Sequence, residues 1–374
     1  MLLQKIELTN YRNYKKASAE FSPGINVFIG ENAQGKTNLM ESIYVLAMAR
    51  SHRTANDREL ISWSEDFAKV TGRVEKRSST FPLEIVVSKK GKKAKLNHLE
   101  QKKLSAYIGH LNIILFAPED LSIVKGSPSV RRKFLDMEMG QMSAVYLHHL
   151  VQYQKILKQR NHYLKQLAQN KGRGDLLYLD VLTEQLAAEG AQVLKDRFRF
   201  TKRLQEWARP IHAEISRNQE ELEIVYSCSI PVESKEDVEQ LYQDMMDQYA
   251  KNRPRELEQG TTVSGPHRDD LRFYVNKKNV QTYGSQGQQR TTALSVKLAE
   301  IDLMKEMTGE YPVLLLDDVL SELDDERQTH LLKAIQDKVQ TFLTTTSLDG
   351  VKRNLIDHPR VFRITSGEIE MESE

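Results

Sequence analysis

The segment Gly30-Glu31-Asn32-Ala33-Gln34-Gly35-Lys36-Thr37 reads G-x-x-x-x-G-K-S/T, a spacing whose residue types suit a phosphate chain. Glycines let successive backbone N–H groups close around phosphate oxygens, and a helix starting at the lysine adds the positive end of its dipole. Lys36 would reach the β- and γ-phosphates, and Thr37 would offer its hydroxyl to Mg2+. The flanking residues supply the scaffold this needs. Ile25, Val27 and Ile29 precede the loop with strand spacing, and Asn38 leads into an apolar-periodic helix carrying Leu39, Ile43, Leu46 and Ala47. Binding of ATP or GTP follows, with Gly30 through Asn38 as the binding segment.

A second chemical group lies near the other end of the chain. Val313-Leu314-Leu315-Leu316 reads as a buried strand and runs into Asp317-Asp318, the place where carboxylates serve a metal and an attacking water. Asp317 would hold Mg2+ directly or through water, and Asp318 would orient or deprotonate the nucleophile. Upstream, Ser285-Gln286-Gly287-Gln288 opens a helix with Leu294, Val296, Leu298 and Ile301. A serine and a glycine at a helix start present N–H donors to an anion, and equally they can form an ordinary capped start. Downstream lies Ser321-Glu322-Leu323-Asp324.

The elements that must position these groups divide by texture. Alternating apolar residues at 67–97, such as Leu83, Ile85 and Val87, predict strands. From about Val130 to Ser216 the pattern becomes long helices: Tyr146, Tyr153 and Leu167 with Leu150, Leu157 and Leu164 repeat at seven-residue spacing. Arg160 breaks one row, which argues against a long regular coiled coil. A turn is expected at Asn170–Gly174, giving two antiparallel helices, and the α/β texture returns after Pro254. The expected organisation is a discontinuous α/β head at 1–128 and 255–374 with a helical arm at 129–254.

Composition narrows the class. A chain of 374 residues with a formal charge of +2 gives no overall electrostatic sign of a nucleic-acid partner. The single cysteine, Cys228, excludes an intrachain disulfide and a cysteine zinc framework and suits a reducing cytoplasm. The N-terminus, interrupted by Lys5, Glu7 and Arg12, does not read as a signal peptide, and no apolar run reaches membrane length.

Taken in order, the phosphate loop, the serine–glycine helix, the aspartate-ended strand and S-E-L-D resemble the ABC ATPases. Asn10–Tyr14, Ser51–Thr54, Phe116–Leu121, Lys125–Pro128, Arg131–Asp136 and Gly265–Asp270 narrow the resemblance to the RecF family, bacterial DNA replication, recombination and repair ATPases with SMC-like heads. The resemblance implies an ABC-type P-loop ATPase head with an inserted α-helical arm, binding ATP and Mg2+. It implies that Ser285, Gly287 and Gln288 act in trans on the nucleotide of a second copy, that Asp324 lies at the dimer seam, and that ATP drives a homodimer. Expected partners are double-stranded DNA, single/double-strand junctions, and RecR and RecO. The expected place of action is the cytoplasm, at the nucleoid. Hydrolysis would be a slow, DNA-stimulated switch, because Asp318 stands where most ABC ATPases carry the longer glutamate. The strand after S-E-L-D ends in Thr344-Thr345-Thr346-Ser347, without the histidine that many ABC proteins use to sense the γ-phosphate.

Lys89, Lys90, Lys92, Lys93 and Lys95 make a lysine-dense hairpin, readable as a phosphate-contact surface for duplex DNA or as a solvated charged turn. Arg12 and Arg53 are candidate phosphate contacts. His148, His149 and His162 read as surface histidines, and Gly265–Asp270 as a turn entering a strand. Two rival readings remain: a nucleotide-binding subunit of an ABC transporter, and a P-loop nuclease of the OLD class, for which no further acidic domain is expected after Ser366-Gly367.

Overall fold

A computed structural model of the chain describes all residues except 78, 171–173, 321–322, 337, 347–357 and 373–374. Ser321, Glu322, Ser347 and the middle of the turn expected after Asn170 lie outside the described residues. In order, the elements are β1 (Leu2–Tyr11), β2 (Tyr14–Glu20), β3 (Ile25–Ile29), α1 (Lys36–Met48), β4 (Phe67–Lys76), β5 (Ser79–Ser88), β6 (Gly91–Leu96), β7 (Leu99–Glu100) and β8 (Ile113–Phe116). There follow α2 (Leu121–Lys125), α3 (Pro128–Met142), α4 (Ala144–Gln169), α5 (Leu176–Ile215), β9 (Leu222–Ser227), α6 (Val238–Gln259), β10 (Asp270–Val275), β11 (Lys278–Asn279) and α7 (Val280–Tyr283). The chain ends with α8 (Gln286–Thr308), β12 (Val313–Leu316), α9 (Asp325–Ile335), β13 (Thr341–Thr345), β14 (Arg360–Thr365) and β15 (Glu368–Met371).

Contacts divide the chain into two compact units, Met1–Asp120 with Leu294–Glu374, and Leu121–Ala293. The first unit holds two six-stranded sheets. One has the order β15-β14-β3-β13-β12-β8; its strands pair in parallel except β15. All five residues of β3 are buried, including the polar Asn26 between its apolar residues. A central parallel strand is covered on both faces. Phe21, Phe28, Phe342 and Phe362 form the aromatic core beside it, with ring centroids 4.7 to 6.1 Å apart. The other sheet, β2-β1-β4-β5-β6-β7, is antiparallel throughout.

The second unit is larger than the helical segment expected at 129–254. It also contains the three-stranded sheet β11-β10-β9, because β10 pairs with β9 along its whole length, from Asp270↔Ser227 to Val275↔Leu222. Nor does Pro254 end a helix: α6 runs through it to Gln259. Proline removes one backbone donor there, and burial of Tyr249 and Glu256 holds the helix against that loss. The α4–α5 pair is antiparallel, as the contacts Tyr146–Arg197, His149–Glu189 and Arg160–Thr183 show. Arg160 enters the helical seam fully buried and satisfied, donating to Thr183, Thr262 and Glu256 at 2.7 to 2.9 Å.

Candidate nucleotide site

The phosphate loop joins β3 to α1 in the turn that its glycines permit. Gly30 has φ +152° and Gly35 φ +121°. A Cβ on Gly30 would lie 2.4 Å from the Ile364 carbonyl oxygen, and one on Gly35 would lie 2.6 Å from Asn13 Nδ2, so neither position admits a side chain. Two turns distant in sequence hold the loop. From β1–β2, Asn13 Nδ2 donates to the Gln34 carbonyl at 3.0 Å and the Tyr14 hydroxyl to the Gly35 carbonyl at 2.9 Å. From β14–β15, the Ser366 and Gly367 amides donate to Gln34 at 2.7 and 3.1 Å. Glu31, Asn32 and Ala33 stay exposed. The α1 N-terminus has no side-chain cap, so its first N–H groups face the loop as an anion site. Lys36 Nζ donates back to the carbonyls of Gly30 at 2.5 Å and Glu31 at 2.8 Å. Burial pulls its pKa below the ordinary lysine range, against the opposing charges of Asp318 and Asp317.

Strand order brings the two motifs together. β13 lies between β3 and β12, and the carboxylates at the end of β12 meet the start of α1 across it. Thr37 Oγ1 donates to Asp317 Oδ1 at 3.3 Å, and Thr344 Oγ1 donates to the same oxygen at 2.9 Å. The Asp318 amide donates to Thr344 Oγ1 at 2.9 Å, and Asp318 sits in the left-handed region at φ +54°. Burial pushes the Asp317 carboxyl above the usual range, and the Thr344 and Thr37 hydroxyls act against that rise. A carboxylate and a threonine hydroxyl converging beside a loop of N–H donors is a hard-oxygen set that fits Mg2+ carried with a polyphosphate. Among the described residues no cluster of three His, Cys, Asp or Glu is placed to hold a metal by itself. Thr344 is the site residue that motif reading missed as a partner of Asp317. Its only signal was its place at the end of the strand after S-E-L-D.

Arg12 and Arg53 belong to a structural clamp beside this site. Arg12 donates through Nε and Nη2 to both oxygens of the fully buried Glu41, each at 2.8 Å, and Ser51 Oγ donates to Oε1 at 2.5 Å. These contacts hold the Glu41 carboxyl below its ordinary range, although burial acts the other way. Two donors of Arg12 are thus committed to Glu41. Arg53, more exposed, donates to Asn38 Oδ1 at 2.9 Å. Asp324 caps α9, accepting from the Arg327 amide at 2.9 Å.

In the second unit, Ser285 and Gln288 form a reciprocal capping box: the Ser285 amide donates to Gln288 Oε1 at 3.0 Å, and the Gln288 amide to Ser285 Oγ at 3.2 Å. Gln288 Nε2 also donates to Glu220 at 2.9 Å. Ser285 and Gly287 are exposed at this helix start. Asp269 is buried and accepts from the Tyr226 hydroxyl and the Ser229 amide, both at 2.7 Å, so it is a structural acceptor of the second unit. His149 is bound to Glu189 at 2.7 Å.

The lysine hairpin differs most from its composition. The Lys92 side chain is only 13% exposed, and its Nζ is spent on the Ala49 carbonyl and Asp57, at 2.6 and 2.9 Å. Lys89 pairs with Asp66, Lys93 with Glu100 and Lys95 with Glu84. Cross-strand and loop carboxylates neutralise most of this run, and Lys92 ties β6 to Ala49 and Asp57.

The family model described as the RecF/RecN/SMC N terminal domain matches residues 2–368. The "DNA replication and repair protein RecF" of Latilactobacillus sakei is 62% identical over 99% of this chain and 98% of its own length. That of Bacillus subtilis is 59% identical over 99% and 100%. A solved structure of the recombination mediator protein RecF-ATPrS in the RecFOR pathway superposes with TM-score 0.91 at 36% identity, covering 100% of this chain and 98% of that one. The Smc head domain from Pyrococcus furiosus, at 16% identity and TM-score 0.55, shares the ABC-type head fold. Among the described residues no helix is long and apolar enough to cross a membrane. With a phosphate loop and a paired-aspartate strand end built into an ABC-type head, and with full-length relatives well above half identity, the chain belongs to the RecF family.

Proposed function

We propose that this chain is an ATP-dependent, DNA-binding recombination mediator that uses hydrolysis as a switch. The observation that carries the reading is the convergence of Thr37, Asp317 and Thr344 beside the Lys36 loop. In this reading the N–H groups of Gly30 through Asn38 and Lys36 bind the triphosphate. Thr37 and Asp317 would hold Mg2+, which when bound neutralises charge on the β- and γ-phosphate oxygens. Asp318 orients the attacking water and accepts its proton. Thr344 fixes the rotamer of Asp317 and the backbone of Asp318. The relatives named for DNA replication and repair, and the RecF structures with ATP and ATPrS, support nucleotide use in DNA repair.

The finer steps follow from the same reading. Ser285, Gly287 and Gln288 of one copy cover the triphosphate bound by the other, with Asp324 at the seam, so ATP closes a homodimer over double-stranded DNA near a single/double-strand junction. RecR and RecO then load the recombinase there, and hydrolysis reopens the pair. The test measures molecular mass and duplex-DNA affinity at two salt concentrations, without nucleotide, with ADP and with ATP. Dimers and tighter, salt-sensitive DNA binding are expected with ATP alone. Ser285→Arg is expected to keep ATP affinity and remain monomeric; normal ATP-driven dimers in that variant would sink the composite site.

A further inference from the structure

The phosphate loop and its aspartates account for the triphosphate and leave the base unassigned. Asp317, at the end where the γ-phosphate would lie, meets Thr37, and Asn38 beside it donates to Asn13 Oδ1 on the β1–β2 turn at 2.9 Å. A cavity of 580 Å3 opens there, lined by Arg12, Asn13, Asn38, Arg58, Trp63 and Lys89 among others. The aromatic residues of the β1–β2 turn do not serve it: Tyr11 and Tyr14 are 0% exposed, and the Tyr14 hydroxyl is committed to Gly35. Trp63, by contrast, is 97% exposed.

An indole left in water exposes a large apolar surface without any packing gain. Its backbone is nonetheless held firmly. The Ser62 amide donates to the Asn10 carbonyl at 2.9 Å and Ser62 Oγ to the Arg12 carbonyl at 2.6 Å. Glu65 closes the turn, its amide donating to the Ser62 carbonyl at 3.1 Å and its carboxylate accepting from Asn10 Nδ2 at 3.1 Å. Ser64 takes the left-handed conformation that this turn requires, at φ +68°. A rigid turn therefore presents an uncovered ring at the mouth of a cavity that adjoins the phosphate loop and is rimmed by amides, by the cations Arg12, Arg58 and Lys89, and by the carboxylates of Glu59 and Glu65.

We infer that Trp63 is the stacking platform for the purine base of the bound nucleotide, with Asn13, Asn38 and Arg58 forming the polar rim around the nucleoside. The inference rests on the nucleotide reading of the loop. A planar base covers the indole face and recovers the contact that the free protein lacks, and aromatic platforms of this kind are sequence-tolerant because every base has a π-face.

The chain has two tryptophans, Trp63 and Trp207, so intrinsic fluorescence reports the site in the full-length protein. ATP is expected to quench the Trp63 emission, whereas inorganic triphosphate binds without that quench. Trp63→Ala is expected to raise the Kd for ATP about ten-fold and leave that for inorganic triphosphate unchanged, and Trp63→Phe to stay near the parent. Unchanged ATP affinity in Trp63→Ala overturns the assignment, and so does an equal loss for ATP and triphosphate, which signals a disturbed loop. Loss of single-stranded DNA binding with ATP affinity intact also overturns it, moving the platform to a DNA base. If the unsubstituted protein binds neither ATP nor triphosphate with Mg2+, the nucleotide reading itself fails, a result distinct from all of these.

Discussion

Replacing Thr344 by valine isolates the contact that joins the two aspartates. Valine keeps the shape and β-branching that a buried strand end favours and removes only the hydroxyl. Thr344 is 3% exposed and Asp317 7%, so water replaces that hydroxyl poorly. Two bonds disappear: the one donated to Asp317 Oδ1 and the one accepted from the Asp318 amide, both at 2.9 Å. A hydrogen bond to a charged group is worth about 1.5–3 kcal/mol, and an orphaned amide adds about 1 kcal/mol where some water reaches it. The head is expected to lose about 2.5–4 kcal/mol in denaturant unfolding. Because the Asp317 carboxyl is already raised by burial, loss of this donor raises it further, so a cation must displace a proton more often. Supporting residues of this kind typically change metal affinity or activity by about 10–100-fold. The assay is ATP hydrolysis titrated with Mg2+ at several pH values, beside metal-free ATP binding. Thr344→Val should shift the Mg2+ midpoint upward by about ten-fold or more, most at low pH, while Thr344→Ser stays near the parent. Identical Mg2+ curves for Val, Ser and the parent would refute the argument.

Other perturbations separate structural from functional charge. Arg160→Met leaves Glu256, 0% exposed, without its cation and is expected to cost about 3–5 kcal/mol in chemical denaturation, most of it recovered in Arg160→Met/Glu256→Leu; equal destabilisation of single and double variants would remove the ion pair as the cause. Lys92→Ala is expected to lower the melting temperature with duplex affinity unchanged, whereas Lys90→Ala with Lys93→Ala lowers affinity and its salt dependence; loss of DNA binding on Lys92→Ala alone would restore it as a contact. His267 accepts from the Tyr153 hydroxyl at 2.7 Å, with its other nitrogen 3.2 Å from the Thr262 carbonyl, and burial lowers its pKa from 6.5 to about 4. The neutral ring thus favours the folded state, a contribution fully present above pH 6.5 and lost as pH falls toward 4. It amounts to about 2 kcal/mol for a partly shielded group; His267→Gln should flatten that part of the stability–pH curve, and an unchanged slope would count against it.

What the chain declared in advance was chemistry local in sequence. The phosphate loop was legible because its glycines, Lys36 and Thr37 lie within one turn and their flanks have opposite periodicities. Asp317 and Asp318 were legible because an apolar run ends on them. What stayed hidden depends on register. Lys95 faces Glu84 on β5 and Glu100 on β7, pairings that no charge count along one strand reveals. Gln34 is held by Ser366 from 332 residues away. Trp63 carried no periodicity at all, and only its exposure beside a cavity singles it out.

Arg160 shows why the arm is a finite bundle and not a coiled coil. Its row of seven-residue repeats reads as a seam between two helices, yet its guanidinium reaches Thr183 on α5 and Glu256 on α6, with Thr262 just beyond, and lies 5.1 Å from the centre of the Tyr249 ring. A two-stranded coil would leave that charge facing one partner helix or solvent. Three helices converging on one arginine satisfy its donors, and a one-turn slip of α6, about 5.4 Å, would strand Glu256 in an apolar interior. A buried ion pair contributes little net stability over apolar packing, but its misregistered alternatives are heavily penalised. The break that Arg160 makes in the apolar row is thus the device that sets the register of α4, α5 and α6.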